Sequence, residues 1–247
     1  MASETTETPV ASARPPRGLL FVDTSSLLDL VRDITRETDV RRMVRAADAL
    51  LAAARREEIE ILLPAQVVIE LQRNLEKVER DSDAALKRHW RRGRAVESEL
   101  VELGLGGLGG ALPPVAVEHY TLENVRLLRR GRLDEWRSHA EVLKPEPATL
   151  SEAVARLNLR QPPAHEEKAE FADCLIIETV FAEIEQRGGR AAIGGTVFLS
   201  ANTQDYGLSG SSSVLRPPLD EQFEQRGLRY AANFWHAAHL LGVAAKV

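Results

Sequence analysis

Gly18-Leu19-Leu20-Phe21-Val22-Asp23-Thr24-Ser25-Ser26-Leu27-Leu28-Asp29-Leu30-Val31 is the stretch on which the fold turns. Its first five residues form a short apolar run with an aromatic, as a buried strand requires. The run stops at four residues with short oxygen-bearing side chains, the types that cap a helix, before apolar residues resume. Strand, turn and helix in that order predict an α/β unit with Asp23 at the carboxyl end of the strand. In open α/β sheets that edge is where ligands bind. Asp23 reads either as a helix cap or as a functional carboxylate, because Thr24 or Ser25 would cap the helix equally well.

Working outward, Met43, Val44, Ala47, Leu50 and Leu51 recur at three- and four-residue spacing among arginines, which predicts an amphipathic helix over 40–56. Residues 59–63 read as a second strand, and Pro64 opens a helix carrying Val67, Val68, Glu70 and Leu71. Residues 73–103 are charged and helical in character, and the glycine-rich run 104–110 ends them. Further helix is expected over 118–143, then a break at Lys144-Pro145-Glu146-Pro147 and a short amphipathic segment over 150–157. Residues from about 75 to 160 are therefore expected to be a helical insertion. The core pattern resumes with an apolar helix over 166–186 and a strand over 196–200, an alternation that argues for a parallel sheet flanked by helices. Residues 217–247 read as two short helices. The expected organisation is a domain over 18–215 with its insertion, a helical extension over 216–247, and a disordered tail over 1–17, where Ser, Thr, Glu and Pro dominate.

Composition narrows the class. The chain has 247 residues, 44% of them hydrophobic, enough for a full core. Cys174 is the single cysteine, which excludes an internal disulfide and a thiolate zinc cage and fits a reducing cytoplasm. A basic segment leading into an apolar one is missing at the start, and no run of eighteen apolar residues occurs, so neither secretion nor a membrane span is expected. Formal net charge is -5, so a polyanionic partner requires a local basic patch. Lys87-Arg88-His89-Trp90-Arg91-Arg92-Gly93-Arg94 mixes cations with an aromatic able to stack on a base, and Arg126, Arg129, Arg130 and Arg132 form a second basic group. Either group also reads as an ordinary solvated helix face. His165, His236 and His239 lack a zinc-ligand spacing and read as surface or packing residues.

Further acidic positions need an explanation. Glu70 lies among Val67, Val68, Ile69 and Leu71 on a helix with a buried face, although an exposed position on that helix would suit it too. Asp173 is the sharpest anomaly, because Phe171-Ala172-Asp173-Cys174-Leu175-Ile176-Ile177 is apolar almost all the way round. Burying an unpaired charge costs several kcal/mol or more, a cost that a cation removes. Glu166, Glu170 and Asp173 would share one helix face at i, i+4 and i+7, where they would repel without a cation; pairing with Lys168 or an arginine is the plainer alternative. Finally, the strand over 196–200 runs into Ala201-Asn202-Thr203-Gln204-Asp205-Tyr206, a polar turn with oxygen ligands at another sheet edge.

The order of these motifs resembles the PIN-like domains, in particular a longer bacterial branch in which Pro162-Pro163 precedes Lys168 and Asp173 and Leu215-Arg216-Pro217-Pro218-Leu219 comes late. The resemblance implies a three-layer α/β/α fold with a central parallel sheet, and an endoribonuclease that holds Mg2+ or Mn2+ on acidic residues. Carried over by position, the ligands are Asp23, Glu70 and Asp173. Asn202 stands where the family usually has a fourth acid, with Asp205 following, so the implied metal set is Asp23, Glu70, Asp173, Asn202 and Asp205. Thr24, Ser25 and Glu170 take supporting roles, and Lys168, Arg88, Arg91 and Arg92 are candidate contacts to an RNA substrate. Hydrolysis by water needs no covalent enzyme intermediate. The alternative reading is a PIN-like module that binds RNA or protein without cleaving it, because the fourth acid is altered. A phosphatase of the haloacid dehalogenase type fits less well, since Asp23-Thr24-Ser25 lacks that class's second aspartate. Whether an antitoxin or a second copy of the chain is a partner is not determined by the sequence.

Overall fold

The computed structural model describes residues 18–32, 40–103, 115–164, 170–188, 195–208 and 214–243. The expected tail over 1–17, the glycine-rich run 104–110, Glu166 and Lys168 lie outside the described residues. Five parallel strands make one sheet: β1 (Gly18–Val22), β2 (Ile59–Pro64), β3 (Ala140–Leu143), β4 (Thr196–Leu199) and β5 (Leu228–Ala231), in spatial order β3-β2-β1-β4-β5. The expected α/β/α architecture is present, with helices flanking an all-parallel sheet. Every residue of β1 is buried, as expected for the central strand of a sheet covered on both faces. Register sets Leu20 beside Ile61 on one side and Val197 on the other. Val22 lies opposite Leu199, so the residues that follow these strands, Asp23 and Ser200, leave the sheet side by side.

The helices are α1 (Thr24–Asp29), α2 (Val40–Arg55), α3 (Ala65–Glu102), α4 (Val115–Ser138), α5 (Pro147–Asn158), α6 (Phe171–Gln186), α7 (Thr203–Tyr206), α8 (Leu219–Gln225) and α9 (Phe234–Leu240). None of the described helices is long and apolar enough to cross a membrane. α3 is a single helix of 38 residues, so the charged segment after Arg73 continues the helix that carries Glu70 without a break. Residues 140–143, expected to be helical, are strand β3 at the sheet edge. Two of their four side chains are exposed, and four residues are too few for strand alternation to outweigh the helical pattern before them. Among the described residues of 217–243, β5 lies between α8 and α9; Arg229 interrupts its apolar run and hides it in the sequence.

The arginines of α4 have a different use from the one the sequence suggests. Arg130 makes two hydrogen bonds of 2.5 Å to Glu79, Arg126 pairs with Asp83, and Arg129 donates to Ser82, all on α3. Arg132 reaches Asp48 of α2 at 3.0 Å. These cations fasten the return helix to its neighbours, and so the second basic group is not a free patch. At the end of α4, Leu133 and Trp136 enter the main hydrophobic core, where the Trp136 ring meets Phe234 edge-on at 5.2 Å.

Candidate functional site

Asp23 ends β1 and precedes α1, and its backbone N–H continues the ladder to Leu199 O at 2.9 Å. Its side chain does not cap α1. Instead its Oδ2 accepts hydrogen bonds of 2.7 Å from both Ser25 and Ser200. With only 3% of its surface exposed, Asp23 is therefore a buried carboxylate fixed by two hydroxyls, a geometry that a plain cap would not need. Ser26 accepts from the backbone of Ala201 at 3.0 Å and so ties the turn after β4 to α1.

Glu70 stands in the second turn of α3, half-buried. Thr24 Oγ1 donates to its Oε2 at 2.7 Å and Gln66 Nε2 to its Oε1 at 3.1 Å. Thr24 thus links the first acid's turn to the second acid. Asp173 is buried in the first turn of α6, where the positive end of the helix dipole favours a carboxylate. That dipole offsets part of the burial cost that the sequence reading assigned to a cation. α6 begins at Phe171, so Glu170, at the N-cap position without a side-chain cap bond, precedes the helix that carries Asp173 and is exposed there, and the expected stripe is not shared by these two residues on one helix.

These groups share one cleft of ≈ 780 Å³, lined by Asp23, Thr24, Ser25, Glu70, Asp173 and Asn202, with Glu170 at its edge and Arg88 further along α3. Arg91 and Arg92 are exposed beyond it on the same helix. Asp205 lies behind Asn202, 3% exposed, and accepts from Asn202 Nδ2 at 2.5 Å. Beneath them is Tyr206, fully buried, whose hydroxyl has no hydrogen-bond partner among the described residues. Burial first, and then the negative charges of Asp23, Asp173, Glu70 and Asp205, push its phenol well above the usual tyrosine range. One hydroxyl thus senses all four acids. Tyr230 is raised as well, by burial and then Asp23, and it donates to Ser200 O at 2.8 Å.

The family described as PIN domain matches residues 20–206. The chain belongs to the PIN domain family. No curated protein and no solved structure gave a match. PIN domains are generally nucleases and usually use divalent metals. In this PIN domain the donors offered to the cleft are carboxylate, hydroxyl and amide oxygens, the hard ligands that Mg2+ and Mn2+ take. Among the described residues no group of three or more Asp, Glu, His or Cys side chains is placed to hold a metal ion as it stands. Cys174, next to Asp173, faces away from this chemistry: it is wholly buried, and burial pushes its thiol up to about 11.

Ser200, Gln66 and Tyr206 have no role in the sequence reading. Ser200 and Tyr206 acquire theirs from the β1–β4 register and the turn after β4, and Gln66 from the position of Glu70 one helical turn away. The sequence signal for Gln66 is its i, i+4 spacing from Glu70.

Proposed function

We propose that this PIN domain is an endoribonuclease that hydrolyses RNA phosphodiester bonds with Mg2+ or Mn2+ held by Asp23, Glu70 and Asp173. The observation that carries this reading is that three acids, drawn from the end of β1, from α3 and from the start of α6, line a single cleft at the carboxyl edge of a parallel sheet. When bound, the metal supplies charge neutralisation at the phosphoryl oxygens and activation of water. The remaining work belongs to the chain. Ser25 and Ser200 orient Asp23, and Thr24 and Gln66 orient Glu70. Asn202 offers its amide oxygen from the fourth position, while Asp205 takes the amide's N–H and acts as a positioning residue. Arg88 provides a cation further along the cleft.

Metal binding tests the first half of the reading. Because a ligand specific to the folded state stabilises it, saturating Mn2+ at about 100 Kd is expected to add about 2.7 kcal/mol and raise Tm. Asp173→Asn is expected to abolish that rise; an equal rise in wild type and variant would contradict the assignment of Asp173. Asn202 in place of an acid is the observation behind the second reading, a module that binds RNA without cutting it. Tight RNA binding with no cleavage under saturating Mn2+ would select that reading.

A further inference from the structure

A second hollow, of ≈ 480 Å³, adjoins the acidic cleft on the other side of Glu70 and shares Glu70, Asn74 and Glu170 with it. Its remaining walls are Gln66, Arg73, Phe171 and Ala172. Two of these residues carry more exposed functionality than packing explains. Phe171 opens α6 with 37% of its surface exposed, two residues before the buried Asp173. A single exposed aromatic is ordinary on a convex surface. This one lines a hollow that a guanidinium also lines. Arg73 lies three residues from Glu70, within reach on one helix face, yet does not pair with it, and the hydrogen bonds to Glu70 come instead from Thr24 and Gln66. Among the described residues Arg73 has no ion pair, whereas Arg126 and Arg130 on the neighbouring helix do.

An aromatic face and an uncommitted guanidinium in one hollow are the two groups that hold a single-stranded nucleotide, the ring stacking a base and the cation meeting a phosphate. The geometry points to a nucleotide subsite formed by Phe171 and Arg73, one step along the strand from the phosphodiester that would lie at Asp23, Glu70 and Asp173. This inference rests on the proposed nuclease reading and adds the place where a flanking nucleotide is gripped. Glu170 at the rim sets the boundary between the hollow and the acidic cleft. Stacking accepts any base, so the subsite confers affinity for an unpaired strand in preference to a base sequence. A paired duplex, whose bases are stacked on one another, could not offer a free face to Phe171.

The test uses the full-length protein with fluorescent single-stranded RNA, measuring Kd by anisotropy in Ca2+ and cleavage in Mn2+. A set of oligonucleotides, each with one abasic position, is compared with the intact strand. In wild type one abasic position is expected to weaken binding about tenfold. Phe171→Ala and Phe171→Leu should bind the intact strand about tenfold more weakly and be indifferent to that same position, while Phe171→Tyr keeps the wild-type pattern. Arg73→Gln should lower the slope of log K against log salt by about 0.7, the loss of one phosphate contact. The subsite is overturned if Phe171→Leu, folded by circular dichroism, retains wild-type Kd, KM and abasic pattern. Wild-type cleavage together with that result leaves the nuclease reading standing. A coupled abasic response without any cleavage supports the subsite and overturns the nuclease reading alone.

Discussion

Asp23 is held by Ser25 and Ser200, and the two hydroxyls converge on one oxygen of the carboxylate. Ser200 also accepts from the backbone of Asn202 at 3.2 Å, so one hydroxyl links the first acid to the fourth position. If Asp23 holds a metal, as proposed, groups that orient it in this way affect metal affinity without touching the ion. Ser200→Ala is therefore expected to weaken Mn2+ binding about 10–100-fold with the fold intact, measured by calorimetry. Unchanged affinity would remove Ser200 from the site. At this scale the sequence discloses the acids better than their supports. A carboxylate stands out in an apolar run, as Asp173 does between Ala172 and Cys174, whereas the role of Ser200 depends on the register that places β4 beside β1. The Asn202 and Asp205 pair divides in the same way: both residues are visible in the sequence, but only the fold sets Asn202 in the cleft with Asp205 behind it.

Among the elements, α5, α6 and α8 are joined by Arg156, a guanidinium only 4% exposed. It donates to Glu178 at 2.5 Å, to Pro162 O at 2.6 Å and to Gln222 at 2.9 Å, and packs over the Phe181 ring. Removing one partner of a buried pair strands the other, so Arg156→Ala is expected to cost about 3–5 kcal/mol in urea unfolding. A cost below about 1 kcal/mol would show the pair to be solvated like a surface bridge. The sequence reveals the long elements with strong periodicity, α2 and α6, and the buried strands β1 and β2. It conceals β3 and β5 because four-residue strands at sheet edges carry polar side chains and too little repeat to be told from helix. It also misstates the use of the α4 arginines, since Glu79 and Asp83, their partners, lie more than forty residues away in the chain.

For the molecule as a whole, the parallel sheet gathers distant chain segments, from Asp23 to Asp205, at its carboxyl edge, and the acids crowd around the buried Tyr206 there. Its raised phenol pKa and that of Tyr230 carry a consequence for stability. Both favour the neutral form in the folded state, so their contribution is complete below the unfolded tyrosine value of about 10 and is lost as pH rises above it. Unfolding measurements should show stability falling above about pH 10, with tyrosinate absorbance from these two side chains appearing only as the protein unfolds. Ionisation of both in the native protein near pH 10 would contradict the enclosed site.

Cleavage of a labelled single-stranded RNA of mixed sequence is the most direct test of the proposed function, run with Mn2+, with Mg2+ and with EDTA on wild type, Asp23→Asn and Asp173→Asn. Metal-dependent cutting by wild type, abolished by EDTA and reduced at least about 100-fold in both variants, is the expected result. Absence of cleavage by a wild-type protein that also fails to bind metal, or cleavage undiminished in both variants, would contradict it.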